Sequence, residues 1–178
     1  MQVHHKAAVT LVRAEQQVYK TTSTDRVLQG FSLAFDASVE ELWMAWVSGG
    51  ALVVGTLEVM KSGPDLPTHI ASMGVTCLST VPTLLSTVPS SQLPTVRLLI
   101  VGGEACSREL ANRWSEHCLF FNTYGPTEAT VVTTVCQCSP NAPREARVTI
   151  GSKYHAQEAR LLPPHAPART LSDLALMR

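Results

Sequence analysis

The chain has 178 residues, 45% hydrophobic and 16% charged, the composition of a soluble globular domain able to bury one sizeable core rather than of a disordered chain. Fourteen basic residues balance fourteen acidic ones, so there is no electrostatic footprint for nucleic acid or an anionic membrane. No apolar run reaches the roughly eighteen residues of a membrane span and the first residues lack a signal-peptide core, so a cytoplasmic setting is expected.

Apolar spacing predicts a helix over 9–19, and 26–32 leads into a strand. Ser38, with Glu41 three residues on, fits a capping box, which places Asp36 just outside the start of a helix. That helix, 39–47, carries Val39, Leu42, Trp43 and Trp46 at helical spacing and stops at Gly49-Gly50, so its tryptophans are expected in the core. A short β-branched strand is expected over 51–54, a turn at 64–67, a short helix over 69–73 and a strand over 75–78. Pro82 suits the first turn of a helix reaching Thr87, the stretch 89–94 is a surface loop, and 96–101 is a buried strand. Ser107 caps a helix to about Glu116, and Phe120-Phe121 and 131–135 supply further strands. Alternation of this kind predicts an α/β layer structure with a largely parallel sheet flanked by helices. After Ile150-Gly151 the composition changes: 152–178 contains Pro163-Pro164-His165-Ala166-Pro167 and is expected to be poorly structured, with a helical turn over 171–178.

Five cysteines, an odd number spread through expected core segments, fit reduced thiols. Cys136-Gln137-Cys138 is spaced too tightly for a zinc knuckle and has no second ligand pair, and His4-His5 point in different directions. Neither is read as a metal site.

Chemistry concentrates in Asn122-Thr123-Tyr124-Gly125-Pro126-Thr127-Glu128. Gly125-Pro126 makes a stiff turn behind the apolar run Leu119-Phe120-Phe121, so the loop sits at the carboxyl end of a strand, where open α/β sheets bind ligands. Tyr124 offers a face for a base, Thr127 a hydroxyl for a phosphate or a reacting carboxylate, and Glu128 hard oxygens for Mg²⁺. The same residues also suit an ordinary turn with a helix cap.

Three segments in order, Phe35-Asp36-Ala37-Ser38, Val101-Gly102-Gly103-Glu104-Ala105 and Asn122 to Glu128, resemble the amino-acid adenylation domains of nonribosomal peptide synthetases, members of the acyl-adenylate-forming ligases. The match runs from about Val3 to Gly151. It implies a fragment of the large amino-terminal domain of the adenylate-forming fold over 1–151, with ATP and Mg²⁺ used to convert an amino acid to its aminoacyl-AMP and a carrier-protein domain as the usual partner. It implies that Asp36 pairs with the substrate α-ammonium, that Asp36, Ala37, Glu40, Ser79, Val101, Gly103, Thr123, Val131 and Val132 line the amino-acid pocket, and that Gly103, Glu104, Ala105, Asn122, Tyr124 and Thr127 border the nucleotide. Thr127 and Glu128 would act in catalysis, Glu128 as the metal ligand.

Most of the pocket positions are small or apolar, and Glu40 is the exception. An acid in a neutral pocket asks for a cationic substrate side chain, lysine or ornithine, as in polylysine synthetases, while the plainer reading puts Glu40 in a solvated first turn. The family's phosphate loop, its ribose-binding Asp and its carboxy-terminal lysine have no counterpart in these 178 residues, so the isolated chain is expected to be inactive alone, and a non-catalytic remnant that binds an amino acid or a protein partner stays open. An acyl-CoA synthetase is disfavoured, because Asp36 would have no ammonium to pair with.

Overall fold

The computed structural model describes residues 2–143 and 145–153. Among these, seven strands form one sheet: β1 (Arg26–Gln29), β2 (Ala51–Val54), β3 (Cys77–Thr80), β4 (Leu98–Val101), β5 (Leu119–Tyr124), β6 (Thr134–Cys138) and β7 (Ser152–Lys153). Their spatial order is β2-β1-β3-β4-β5-β6-β7. The first five are parallel and the last two antiparallel, the largely parallel sheet that the alternation predicts. Parallel neighbours need crossovers, and after α1 (His5–Tyr19), which precedes β1, helices supply them: α2 (Ala37–Ser48), α3 (Leu57–Met60), α4 (Leu66–Ser72), α5 (Pro82–Ser86) and α6 (Arg108–Ser115). The expected turn over 171–178 lies outside the described residues.

Side chains alternate across each strand, which divides the core into two layers. Leu78, Leu99, Val101 and Phe120 face a cluster with Leu85, Leu110 and Trp114. Cys77, Leu98, Ile100 and Phe121 face Tyr19 of α1 and Met44 and Ala45 of α2. The opposite, amino edge of the sheet is tied by Asp25: it accepts hydrogen bonds from Thr76 Oγ1 at 2.8 Å, Arg97 Nε at 2.7 Å and the Thr22 N–H at 2.8 Å, and forms a salt bridge with Arg97 Nη2. Burial disfavours its charged form, but these donors and the Arg97 charge outweigh burial and hold the carboxyl well below the usual carboxylate range.

Ser107 caps α6 as predicted, accepting from the Leu110 N–H at 3.1 Å. The capping box on α2 does not form. Asp36 is the N-cap but makes no side-chain capping bond, the Ser38 hydroxyl donates back to Phe35 O at 2.7 Å, and the Glu41 carboxylate accepts from the Gly30 and Phe31 N–H groups at 3.0 and 3.2 Å. Glu41 therefore orders the loop before the helix. This rotates the helix: its buried face is Ser38, Glu40, Glu41, Met44 and Ala45, while Trp43 and Trp46 are 43% and 54% exposed and meet edge to face at 5.5 Å. The expectation of core tryptophans is corrected, because hydrogen bonds to buried carboxylates decide which face turns inward.

The last parallel strand runs on to Tyr124, and its antiparallel partner begins at Thr134, not at 131. Thr130 and Val131 take positive φ angles of 68° and 62°, and such residues cannot continue a strand. They form a tight corner that returns the Thr133 N–H to Tyr124 O at 2.9 Å.

Candidate amino-acid and nucleotide site

The carboxyl ends of β1, β3, β4 and β5 open on one edge of the sheet, where the loops carrying all three motifs converge. Alternation then sorts the expected pocket residues. Ser79 lies two residues beyond Cys77 and Thr123 two beyond Phe121, on the layer of α1 and α2. Asp36, half-buried at the N-cap of α2, and Glu40, four residues on, lie on one side of the helix. Val132 packs with Leu11 and Ala14 of α1, and Val131 lies against the same group. The structure thus brings Asp36, Glu40, Ser79, Thr123, Val131 and Val132 to one layer, while Ala37, half-buried, opens α2.

Val101 is not among them. Its side chain belongs to the opposite layer with Leu99 and Leu110, whereas Ile100, in register with Ser79 and Phe121, faces α1 and α2. Gly103 is exposed with φ of 79°. The glycine that packs against the pocket is Gly102, where an added Cβ would stand 2.7 Å from Thr123 Oγ1. Thr123 Oγ1 in turn donates to Val101 O at 3.1 Å. Ile100 and Gly102 are the residues the motif reading missed; the period-two alternation of β4 is the signal that finds them.

Glu40 is 3% exposed, so the solvated-turn reading is excluded. Its Oε1 accepts from the Tyr19 hydroxyl at 3.2 Å. Burial pushes the carboxyl up, to about 7; the hydrogen bonds from Tyr19 and Ser79 oppose the rise and the Glu41 and Asp36 charges add to it. Burial also pushes Glu41 up to about 7, against hydrogen bonds from Gly30, Phe31 and Gln29.

The nucleotide-side residues form a rim. Gly103, Glu104, Ala105, Tyr124, Thr127 and Glu128 are all exposed, and Thr127 and Glu128 lie in the short 3-10 turn Thr127–Ala129. Tyr124 presents an open ring face. Glu104 is already engaged, accepting from the Thr83 N–H at 3.0 Å and from the Thr83 hydroxyl. Asn122 departs from the rim: it is buried on the layer opposite Thr123, with Nδ2 donating to Thr149 O at 2.9 Å. Glu128 stands as a single hard carboxylate, and no group of three metal-ligating side chains occurs among the described residues. This donor set fits Mg²⁺ carried by nucleotide phosphates, which uses one or two protein carboxylates, rather than an all-protein cage. No helix among the described residues is long and apolar enough to cross a membrane.

The model of the AMP-binding enzyme family matches residues 1–168, and the chain belongs to that family. Its relatives are peptide synthetases. A linear gramicidin synthase of Brevibacillus parabrevis is 42% identical over 77% of this chain and 2% of its own length. Phosphinothricin tripeptide synthetase PhsC of Streptomyces viridochromogenes is 35% identical over 90% of this chain and 15% of its own, and the delta-poly-L-ornithine synthetase of Acinetobacter baumannii 38% over 67% and 9%. The chain therefore spans a small part of these relatives. Among solved structures, the Vibrio cholerae adenylation domain AlmE in complex with glycyl-adenosine-5'-phosphate superposes with a TM-score of 0.77 at 27% identity, covering 85% of this chain and 30% of that one.

Proposed function

We propose that this chain is the amino-acid-selecting part of an adenylation domain that activates lysine or ornithine. The observation that carries the reading is Glu40: a buried acid on the layer of Asp36, Ser79 and Thr123, in a chain whose single salt bridge among the described residues joins Asp25 to Arg97 at the other edge of the sheet. A buried carboxylate without a cation is expensive, and a substrate ammonium is the partner that relieves it. The similarity to a delta-poly-L-ornithine synthetase supports a cationic substrate.

In this reading Asp36 binds the α-ammonium and Glu40 the side-chain ammonium, so the amino acid is held at both ends and its carboxylate is left free at the rim. That carboxylate attacks the α-phosphorus of ATP, the bond to pyrophosphate breaks, and aminoacyl-AMP forms, later passed to a carrier-protein thiol. Tyr124 stacks on the adenine, Gly103 and Ala105 let backbone approach it, and the Thr127 hydroxyl donates to the reacting oxygens. Glu128 would hold the Mg²⁺ that accompanies the nucleotide, which would offset the charge of the phosphates. Asn122 supports the rim from beneath through its bond to Thr149.

The test joins this segment to the phosphate-loop and carboxy-terminal segments of a complete adenylation domain and follows amino-acid-dependent exchange of pyrophosphate into ATP. Lysine or ornithine is expected to outcompete leucine, and Glu40→Gln to weaken lysine use by about 1.5–3 kcal/mol, the range for a hydrogen bond to a charged group, with leucine little changed. Preference for leucine in the unmodified protein, or an unchanged lysine preference in the variant, overturns the reading.

A further inference from the structure

Glu15 belongs to no motif, yet it is 2% exposed. It lies on the buried face of α1 with Leu11, Ala14 and Tyr19, one turn before Tyr19, whose hydroxyl meets Glu40. Burial, to which the nearby Glu40 charge adds, pushes the Glu15 carboxyl well above the usual carboxylate range, and no donor satisfies either of its oxygens. The neighbours on the same helix, Leu11 and Ala14, pack against Val132. Glu15 thus lies on the helix face that reaches Glu40 through Tyr19 and the corner through Leu11 and Ala14.

We propose that Glu15 is a second acid of the side-chain pocket, and that the two glutamates together select a substrate side chain ending in a single primary ammonium. The inference rests on the cationic reading of Glu40 given above and adds to it a residue and a substrate class. Two facing carboxyls that share one proton carry one negative charge, which matches one ammonium without any proton leaving the site. An ammonium has three N–H donors, and it would meet the two unpartnered oxygens of Glu15 and the Glu40 carboxyl, whose Oε1 accepts from the Tyr19 hydroxyl. A guanidinium fits poorly. Its planar fork needs both oxygens of one ionised carboxylate; Glu40 Oε1 is already bonded to Tyr19, and Glu15, which burial and the Glu40 charge push up, is the member of the pair that holds the proton.

The groups facing the pair are Tyr19 from α1, Asp36 and Glu41 from α2, and Ser79 from β3. All are neutral or acidic, so nothing among them supplies the positive charge.

The experiment titrates the purified 178-residue chain with L-lysine, L-arginine and L-norleucine, which lacks the side-chain amine, by ligand-observed NMR. The chain is expected to bind lysine more tightly than either of the others. Glu15→Gln should weaken lysine binding by about ten- to a hundredfold and leave norleucine unchanged, and Glu40→Gln should act in the same direction. In the unmodified chain, the ¹³C carboxyl signals of both glutamates should move on adding lysine and stay still with norleucine, which keeps the test independent of how the variants fold. If Glu40→Gln loses lysine binding while Glu15→Gln retains it, or if the Glu15 carboxyl signal ignores lysine, the role of Glu15 is overturned and the cationic reading survives. If the unmodified chain does not prefer lysine to norleucine, both fall together.

Discussion

Glu40→Gln also exposes the energetic burden of the buried acid when no substrate is present. Burial moves the Glu40 carboxyl from 4.5 to about 7, and each tenfold change in proton affinity is worth about 1.4 kcal/mol. A raised acid favours the fold in its neutral form: that contribution is complete below the unfolded value and disappears as pH rises through the folded one. Above about pH 7 the folded chain therefore holds a charge that costs on the order of 3 kcal/mol. Glutamine removes the charge and still offers a carbonyl oxygen to the Tyr19 hydroxyl, so the hydrogen bond at 3.2 Å has an acceptor. The variant should be more stable than the parent by about 3 kcal/mol near pH 8 and by less than about 1 kcal/mol near pH 5. Urea denaturation at the two pH values measures the difference directly, with the same slope expected for both proteins. A variant less stable than the parent near pH 8, or a stability gap independent of pH, would refute the claim that Glu40 is an uncompensated buried acid.

Two further changes probe the scaffold on either side of that acid. Gly125→Ala should destabilise the chain by about 1–3 kcal/mol, the range for overpacking, because the added Cβ would stand 2.3 Å from Val131 O and 2.7 Å from Val132 Cα, both backbone atoms that a rotamer change cannot move; thermal unfolding reads the loss, and an unchanged midpoint would show that the corner yields freely. Asp25→Ala should cost about 3 kcal/mol near neutral pH by leaving Arg97 unpaired, and since the Asp25 carboxyl is held below its ordinary value, the gap between parent and variant should close as pH falls through the acid range. A gap that persists in acid would mean that lost packing, not charge, accounts for it.

The layer architecture was legible in the sequence because it follows from short apolar runs and the turn residues between them, and β2, the capped α6 and the largely parallel order all appear as that pattern predicts. The rotation of α2 was not legible. Its apolar residues Val39, Leu42, Trp43 and Trp46 recur at helical spacing, but so do Ser38 and Glu41 with Ala45, and what turns that second face inward is a pair of long-range hydrogen bonds from Gly30 and Phe31 to Glu41. The same limit applies at β4. Motif order led to Val101, but only the register of Ile100 with Ser79 and Phe121 shows which of two adjacent apolar residues faces the pocket. Glu15 left no motif to read: a lone acid in an amphipathic helix looks solvent-facing until its face is fixed by Leu11, Ala14 and Tyr19.

The two edges of the sheet treat buried acids in opposite ways, and the contrast bears on the proposed amino-acid site. At the amino edge Asp25 has everything a buried carboxylate needs: a guanidinium, a hydroxyl and a backbone N–H, all within hydrogen-bonding distance. That arrangement is complete, so it stabilises and has no further use. At the carboxyl edge Glu40 accepts from the Tyr19 hydroxyl, the oxygens of Glu15 have no donor, and no cation pairs with either among the described residues, although the layer they occupy is otherwise built from apolar side chains such as Leu98 and Ile100. A fold under selection for stability alone would fill that space with hydrocarbon, since replacing buried ionic groups by well-packed apolar ones is commonly neutral or favourable. Two acids there lower stability at neutral pH, and functional sites are where proteins commonly carry such a cost. In the proposed reading the partner is a positive charge small enough to sit between two carboxyls, and an ammonium-bearing side chain meets that requirement.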